Sequence, residues 1–386
     1  MSQPDAERLV EKTLHKRHLT MPLVMGALVL CFALLSPEFL TPRNLSMLLI
    51  ELSITAVLAV GMLVVILPGQ IDLSAGPGVG LIGGLAAVLI FRVGWPAPVA
   101  LLAAFAVALA IWASMGMLIS RTGIQSFIVT LGGLLAFKGT FWLTIRSSTV
   151  PISTGGEDNL FTVLATYYLP PRAGLALAAA FAIGLGLLTW MRRRQAMAEG
   201  EIVESAELSF LRVFTASQIV LLVVLACNQY RGLPLAFVIL YVVALAVQVV
   251  VSRTPFGRYL YAVGGNAEAA ALCGIPVKRL IVMAYTLMGA LVALTGFMQT
   301  SYAGASTVSV GELMELDAVA ACVIGGASLK GGRGTVLGTL FGSAVMASLL
   351  NAMTLLAIAP EIKYIVRGAV LVSAVLFSLR FANDSA

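Results

Sequence analysis

The sequence predicts an all-α membrane protein whose helices cross a bilayer about ten to twelve times. Hydrophobic residues make up 60% of its 386 residues and charged residues only 11%. A soluble domain averages roughly 25% charged residues, so this composition is typical of a chain that lies mostly in lipid. The apolar runs are about 20 residues long, enough to cross roughly 30 Å of hydrocarbon as helix. They are continuous and do not alternate with polar residues, which excludes a membrane barrel.

Twelve apolar segments are the predicted helices of this bundle. Two of them, 78–95 and 316–329, are short and rich in glycine, which is why the number of crossings is a range. Around them we expect short or broken helices near 68–84 and 316–330. In chain order the segments lie near 21–36, 45–67, 78–95, 97–119, 124–143, 173–190, 213–229, 234–251, 280–300, 316–329, 335–358 and 362–379.

The segments follow one another closely, so we predict a single transmembrane domain over residues 21–380. Residues 1–20 are polar and basic, which indicates a cytoplasmic N-terminal tail, because positively charged segments stay inside. Residues 381–386 are predicted to be a cytoplasmic C-terminal tail.

The charges of the loops predict their sides of the membrane. With the N-terminus inside, alternation makes residues 144–172 an external loop. It makes residues 191–212 a cytoplasmic connector and residues 252–279 a cytoplasmic loop. The internal cations behind this assignment are Arg121, Arg192, Arg193, Arg194 and Arg380, and the external acids are Glu157, Asp158 and Glu361.

The sequence lacks the motifs that would make this chain an enzyme. None of its six lysines follows a glycine, so the phosphate-binding Gly-Lys-Ser/Thr sequence is absent. Gly78–Gly83 matches the dinucleotide pattern GxGxxG, but it lies in an apolar segment without the strand or acidic residue that such sites need. His15 and His18 are the only histidines and lie in the N-terminal tail. We therefore predict that the chain is not an enzyme, binds no cofactor or metal itself and contacts no nucleic acid.

Charged residues within apolar segments are costly and usually functional, and this chain has four, Asp72 among them. Glu51 and Asp317 lie near segment ends, from which we expect them to reach the interface. Lys138 can extend its stem to the surface. Glu312, Glu315 and Asp317 are expected to face water at the end of a helix.

Asp72 is the most suggestive of these charges, since it lies in a stretch broken by proline and glycine. It is two residues before Ser74, so it can cap the next helix. The alternative is that Asp72 and Ser74 lie on a translocation path, and the sequence leaves both interpretations open. Gly83–Gly84 follows this stretch, and Gly325–Gly326 lies at a matching place in the second half. Transporters built from two related halves have broken helices in such positions.

The polar stretch 252–279 separates two long apolar runs, and its centre predicts a very short capped helix. Asn266 is a good N-cap, Glu268 suits the positive first turn, and Gly274 suits the position just after the helix. A helix this short is unstable alone, so it needs a surface to pack on. It is either an ordinary amphipathic loop or a docking site for a cytoplasmic partner. The flanking cations are Arg253, Arg258, Lys278 and Arg279.

Gly334, Gly338 and Gly342 recur every four residues and are predicted to lie along one apolar helix. Small residues at this spacing let another helix approach closely. We therefore predict a helix-packing surface, and the sequence leaves open whether the partner helix belongs to the same subunit.

Three motifs carry a family resemblance. They are Ile71–Gly76 (IDLSAG), Tyr261–Ile275 (YAVGGNAEAAALCGI) and Ala320–Thr335 (AACVIGGASLKGGRGT). With these motifs in this order, about residues 20–380 resemble the permease family of bacterial monosaccharide ABC importers, those for ribose, galactose, arabinose and xylose. The chain looks closest to the xylose permeases, which Asn228–Pro234 (NQYRGLP) also resembles.

This resemblance implies a permease subunit in the bacterial inner membrane, with a fold related to that of the vitamin B12-type importers. It implies a homodimer, two cytoplasmic ATPase subunits that use ATP and Mg, and a periplasmic sugar-binding protein. The expected cargo is D-xylose or a related pentose. The alternative function is an ion-coupled secondary transporter of a small polar solute, for which Asp72 is a candidate ligand.

The resemblance also implies roles for residues. Asn266–Gly274 corresponds to the coupling helix that is seated in a groove of the ATPase. Ala75, Ala271 and Lys330 depart from the family pattern, and Ala271 could alter that docking surface. We expect the translocation path or gate at Asp72, Ser74, Asp317 and Asn351. The expected ATPase-coupling residues are Gly264, Gly265, Asn266, Glu268, Ala269, Ala270 and Gly274.

Overall fold

The structure, a computed structural model, describes residues 25–153, 158–199 and 205–383, with the side chains of the last helix described to residue 376. The predicted tail 1–20, Glu157 and most of the predicted tail 381–386 lie outside the described residues. The helices are α1 (Met25–Leu35), α2 (Pro42–Ile66), α3 (Ala75–Phe91), α4 (Ala97–Thr122), α5 (Ser126–Ile145), α6 (Leu160–Thr166), α7 (Pro171–Ala198), α8 (Ala206–Asn228), α9 (Leu235–Arg253), α10 (Pro255–Gly265), α11 (Ala267–Leu272), α12 (Val277–Ala303), α13 (Met314–Ile324), α14 (Val336–Leu355) and α15 (Pro360–Asn383), with a 3₁₀ helix at Pro37–Leu40.

The prediction of an all-α polytopic membrane protein is confirmed. Among the described residues, eight helices are long and apolar enough to cross a membrane, namely α2, α4, α5, α7, α8, α9, α12 and α14. The short helices expected in the two glycine-rich regions are also present. They are α3, which has 17 residues and follows a non-helical linker, and α13, which has 11 residues.

Helix α2 lies at the centre of the bundle. Every residue from Ala56 to Leu67 is buried, and α12, α13 and α14 pack around it. Helix α12 also packs against α3 and α4. Helices α7 and α8 pack mainly against each other and are mostly exposed, so they form the lipid-facing periphery.

The bundle has two ends, which α12 joins: its 27 residues span about 40 Å. At one end lie α10, α11, the last turn of α2 and the turn 325–335, and we call it the α11 end. The other end carries two short antiparallel bridges, and we call it the β end. There, β1 (Val150–Pro151) pairs with β4 (Ala305–Ser306), and β2 (Tyr168–Leu169) pairs with β3 (Leu233–Pro234).

The predicted loops contain regular structure. Residues 144–172 include β1, β2 and the short helix α6, which Asn159 caps by accepting hydrogen bonds from the N–H groups of Phe161 and Thr162. Helices α7 and α8 enter the predicted connector 191–212 from both sides.

The repeated glycines bring α14 against α13 of the same chain. A Cβ atom on Gly338 or Gly342 would collide with the carbonyl oxygen of Gly325 or Ala321. The prediction that Gly334 lies on the same helix is wrong: α14 begins at Val336, and Gly334 belongs to the preceding turn with φ of 154°.

The same close packing explains the GxGxxG sequence. Gly78 and Gly83 lie on α3, where a Cβ would collide with the Trp112 ring of α4 and with Thr300 of α12. These glycines therefore serve the approach of neighbouring helices in the bundle.

We expect Gly338→Ala to destabilise the bundle, because the added methyl group has no space beside the Gly325 carbonyl. Overpacking of this kind costs about 1–3 kcal/mol. Thermal unfolding of the purified protein in detergent measures the effect. Gly184→Ala in α7 is the matched control, since its Cβ meets nothing within 4 Å. Equal melting temperatures for the two variants would contradict the packing role of Gly338.

Candidate functional site

The structure contains the short capped helix that the sequence predicts within 266–274, as α11. Asn266 has an extended backbone, and its side-chain oxygen accepts a hydrogen bond from the Ala269 N–H at 2.9 Å. Glu268 lies in the first turn, where a carboxylate interacts favourably with the positive end of the helix. The cap thereby stabilises a six-residue helix that could not persist in isolation.

The other end of α11 closes through a glycine turn. Gly274 has a left-handed backbone with φ of 82°. Its N–H donates to the Ala271 carbonyl at 3.0 Å, and the Ile275 N–H donates to the Ala270 carbonyl at 3.1 Å. This pair of bonds is a Schellman motif, for which Gly at this position is the usual residue. Pro276 then precedes the first residue of α12.

Helix α11 projects from the protein surface. Ala270 is its only buried residue, and Leu272 is 90% exposed. A single exposed leucine is ordinary on a protein surface, but this one lies at the tip of a capped, projecting helix. The cations around it are all exposed, namely Arg253, Arg258, Lys278, Arg279, Lys330 and Arg333. This end of the molecule therefore presents an apolar tip within a basic surface.

Helix α10, which carries α11, is not among the helices that the sequence predicted. Thr254 caps α10 by accepting a hydrogen bond from the Gly257 N–H at 3.4 Å, and Pro255 occupies its first position. Leu260 and Val263 lie three residues apart and are both buried. The Thr-Pro pair and this spacing are signals that could have identified the helix.

The end of α10 meets two turns through backbone atoms alone. The Leu67 carbonyl accepts a hydrogen bond from the Gly332 N–H at 2.9 Å, and a Cβ on Gly264 would collide with the same carbonyl oxygen. A Cβ on Gly331 would lie 2.7 Å from the Gly69 nitrogen and 2.9 Å from the Gly264 Cα. We call these residues, Leu67, Gly69, Gly264, Gly331 and Gly332, the glycine junction. The backbones are too close for a Cβ atom at Gly264 or Gly331, so glycine is required at these two positions.

Two further features belong to the glycine junction. The Tyr261 hydroxyl of α10 donates to the Gly334 carbonyl at 2.7 Å. Burial raises the pKa of Tyr261, so the hydroxyl keeps its proton at neutral pH and remains a donor. The Lys330 side chain is exposed, so its charge is accommodated in the glycine-rich turn.

Asp72 is fully buried just before α3. Its Oδ1 accepts hydrogen bonds from the Ser74 N–H at 2.9 Å and the Ser74 hydroxyl at 2.5 Å. Its Oδ2 accepts from the Trp112 indole N–H of α4 at 2.6 Å. Asp72, Ser74 and Trp112 are all 0% exposed. Asp72 thereby holds Ser74, the N-cap residue of α3, whose own side chain makes no cap hydrogen bond. A role of Asp72 or Ser74 in translocation stays a prediction.

The backbone of the linker before Asp72 is held by side chains from α5 and α12. The Ile71 N–H donates to the Ser126 hydroxyl at 3.2 Å. The Ile71 carbonyl accepts from the Thr130 and Tyr285 hydroxyls at 3.2 and 3.3 Å. Non-helical backbone inside a membrane protein needs such partners, because lipid provides none.

The expectation that Glu315 and Asp317 face water is wrong. They are 4% and 5% exposed in the first turn of α13. The chain before α13 enters the bundle beside α3, since a Cβ on Gly76 would collide with the Glu315 carboxylate. Asp317 Oδ2 lies 3.3 Å from the Arg367 guanidinium of α15, so this charge is paired within the bundle. Lys138 is partly exposed and lies 3.9 Å from Glu312 Oε1.

Asn351 lies in the last turns of α14 near the β end and is 4% exposed. Its amide oxygen accepts a hydrogen bond from the Asn44 amide at 2.9 Å. Its amide nitrogen donates to Glu51 Oε2 at 3.4 Å.

The expected site residues thus fall into separate places. All the expected coupling residues lie at the α11 end, in α10, in α11, in its N-cap Asn266 or in the turn that follows. Along the chain, the linker from Leu67 to Asp72 leads from the α11 end to Ser74, which directly precedes α3. Asp317 and Asn351 lie elsewhere, on α13 and near the β end.

Comparisons with known proteins agree with this membrane architecture. A family described as "Branched-chain amino acid transport system / permease component" matches residues 44–375. The xylose transport system permease protein XylH of Escherichia coli (strain K12) is 38% identical over 344 residues, covering 87% of this chain and 85% of that protein. The protein of the same name from Haemophilus influenzae is 38% identical over 356 residues, covering 92% and 94%.

The ribose import permease protein RbsC of Escherichia coli (strain K12) is 31% identical over 349 residues, covering 90% of this chain and 89% of that protein. No solved structure matches the chain.

We expect Gly264→Ala to loosen the glycine junction, because its methyl group would displace the Leu67 carbonyl from the Gly332 N–H. A loss of about 1–3 kcal/mol would speed amide exchange roughly 5- to 100-fold. Hydrogen exchange of peptides that cover residues 326–334 measures this. Gly265→Ala is the matched control, since its Cβ meets nothing within 4 Å. The same exchange rate in both variants would show that the contact does not hold the turn.

We expect Trp112→Phe to destabilise the fold, because it leaves a buried Asp72 oxygen without its indole donor. An unsatisfied buried acceptor costs about 1–3 kcal/mol. Thermal unfolding reports the loss. In the control Trp142→Phe, the lost bond is a 3.4 Å contact of a 42% exposed ring, so little change is expected. If Trp112→Phe were as stable as this control, the Trp112–Asp72 hydrogen bond would not stabilise the fold.

Proposed function

The chain belongs to the permease-component family that includes the xylose and ribose permeases, and we propose that it translocates a monosaccharide for an ATP-driven importer. D-xylose or a related pentose is the proposed cargo. The support is the 38% identity to xylose permeases over most of both chains, against 31% for a ribose permease.

The observation that carries the proposal is the projecting helix α11. A six-residue helix with one buried residue and a 90% exposed Leu272 contributes little to its own fold. Such a helix is suited to insert into a groove of another protein. The chain lacks a phosphate-binding lysine motif, so in this proposal ATP is hydrolysed by that other protein. We assign α11 to the docking of a cytoplasmic ATPase subunit.

The charge distribution supports the orientation that this role requires. The α11 end carries a surface of exposed cations, which stay on the cytoplasmic side of bacterial membranes. The β end carries charges of both signs, the exposed acids Glu38 and Glu361 together with Arg92, Arg146, Arg172 and Arg231, so the positive bias is on the α11 end. In the proposed orientation the β end faces the periplasm, where a sugar-binding protein delivers the cargo.

The glycine junction is the proposed route by which the ATPase acts on the transmembrane bundle. Movement of α11 displaces the end of α10, where Gly264 touches the Leu67 carbonyl. That carbonyl begins the linker to α3, and its hydrogen-bond partner Gly332 belongs to the turn between α13 and α14. One displacement therefore reaches both broken segments of the chain. Two copies of this chain, moving together, would open a path to one side or the other.

We expect Leu272→Ser to reduce co-purification of the ATPase subunit at least tenfold, because loss of a central apolar anchor typically costs 2 kcal/mol or more. Tyr259→Ser is the matched control: Tyr259 is 39% exposed at the same end but lies on α10. Both variants should reach the membrane normally. Undiminished co-purification with Leu272→Ser would refute the docking role of α11.

The purified importer in proteoliposomes tests the whole proposal. D-xylose uptake is expected to require ATP, the ATPase subunit and the binding protein. Uptake by this chain alone, driven by an ion gradient, would overturn the proposal in favour of a secondary transporter.

A further inference from the structure

Near the β end, three helices bring polar side chains together in an otherwise apolar region. Glu51 of α2 receives two hydrogen bonds: the Tyr302 hydroxyl of α12 donates to Oε1 at 3.1 Å, and the Asn351 amide of α14 donates to Oε2 at 3.4 Å. The sequence predicted that Asn351 lies on the translocation path, but it does not reveal the contact of Asn351 with Glu51 or the role of Tyr302.

A second layer fixes the orientation of Asn351. Its amide oxygen accepts from the Asn44 amide at 2.9 Å, and Asn44 also donates to the Phe39 carbonyl at 2.9 Å. Because the amide oxygen is occupied in this way, the amide nitrogen is turned towards Glu51. Both asparagines are buried, at 6% and 4% exposure. The polar group that faces Glu51 is thus held in place before any ligand arrives.

In contrast to the two buried asparagines, the side chains of Glu51 and Tyr302 are partly open to the surroundings. Glu51 is half-buried and Tyr302 is 36% exposed. Each Glu51 oxygen receives one hydrogen bond from the described residues, and a carboxylate oxygen can accept two. Acceptor positions therefore remain on the open side, next to a tyrosine ring.

Glu51 lies within an apolar helix that is long enough to span the membrane. It is nine residues after the first residue of α2, which places it about 14 Å along the helix axis. Carboxylates within spanning helices almost always face the bundle interior or a water-filled cavity and not lipid. Thr55 lies one turn further along α2 and is also partly exposed, so the polar face continues inward.

The chemistry of the group matches a neutral polyhydroxy compound. A carboxylate accepts strong hydrogen bonds from hydroxyl donors, and a tyrosine hydroxyl can donate and accept. The Glu51 carboxylate disfavours an anion, and the nearby positive charge of Lys363 on α15 disfavours a free cation. The ring of Tyr302 offers an apolar face for the C–H groups of a sugar.

We propose that Glu51, Tyr302 and Asn351 form a contact site for the hydroxyl groups of the transported sugar, near the β end of the bundle. This inference rests on the proposed function and adds to it the residues that handle the cargo. Glu51 and Tyr302 touch the sugar, and Asn351, held by Asn44, positions the Glu51 carboxylate.

The test uses the complete importer in proteoliposomes, with permease, ATPase and sugar-loaded binding protein. Glu51→Gln keeps the shape of the side chain and removes its charge. Loss of hydrogen bonds to a charged group, worth about 1.5–3 kcal/mol, predicts a 10- to 100-fold lower rate of D-xylose transport. Co-purified ATPase is expected to remain within twofold of wild type. Glu38→Gln, the same change at an exposed position of the same end, is expected to transport normally.

A structural role of Glu51 is distinguished by sugar discrimination. The transport rate of D-xylose is divided by that of an analogue lacking one hydroxyl group. If Glu51 contacts the sugar, the ratio falls towards one in Glu51→Gln. If Glu51 only joins helices, both rates fall together and the ratio is unchanged, which overturns the proposal. Wild-type transport in Glu51→Gln overturns it as well.

Tyr302→Phe provides an independent variant, since it removes only a hydroxyl group from a partly exposed ring. A smaller loss of rate with the same fall in discrimination is expected, and an unchanged ratio in this variant contradicts the site. These results differ from a failure of the proposed function, in which the wild-type importer itself moves no monosaccharide with ATP. Dependence of wild-type uptake on an ion gradient would overturn the proposed function and, with it, this site.

Discussion

The structure depends on satisfying the backbone of the non-helical linker between α2 and α3. Lipid offers no hydrogen-bond partners, so a break inside the bundle is stable only where protein groups replace them. The Leu67 carbonyl is bonded to Gly332, the Ile71 amide and carbonyl are bonded to side chains of α5 and α12, and the Ser74 N–H is bonded to Asp72. Apart from Asp72, which belongs to the linker itself, these partners come from the turn before α14, from α5 and from α12. The break therefore fixes how α3, α4, α5, α12 and the turn before α14 sit around α2.

Asp72 illustrates why a buried carboxylate is retained in such a place. Removing a carboxylate from water is costly, and the cost is offset only when hydrogen bonds satisfy it. Here three donors from Ser74 and Trp112 do so, and they tie the start of α3 to the middle of α4. The charge thus specifies one arrangement of helices that apolar packing alone would leave less defined. The Asp317–Arg367 pair has the same effect between α13 and α15.

The sequence predicted features that are set by neighbouring residues, and it failed where distant residues decide. The cap at Asn266 and the glycine turn at Gly274 depend on a few adjacent residues, so their pattern was sufficient. The burial of Glu315 could not be read from its position, because it follows from the chain entering the bundle beside α3. Gly334 was assigned to a helix by its spacing, whereas its contacts with α10 hold it in a turn. The glycine junction joins three segments that are far apart in sequence. Their contact could not be predicted from the sequence alone.

The linker before α3 and the turn between α13 and α14 are far apart in sequence, but both contact Gly264 at the end of α10. Packed interiors do not deform continuously, so a displacement at a tight contact is passed on and not absorbed. The contact of Gly264 with Leu67 and Gly332 has no intervening side chain that could change rotamer and absorb it. In the proposed mechanism a small movement of α11 is therefore transmitted to the linker before α3 and to the turn between α13 and α14 together. In this proposal both halves of the permease move in concert, and glycine at the junction couples them because no side chain lies between the contacting backbones.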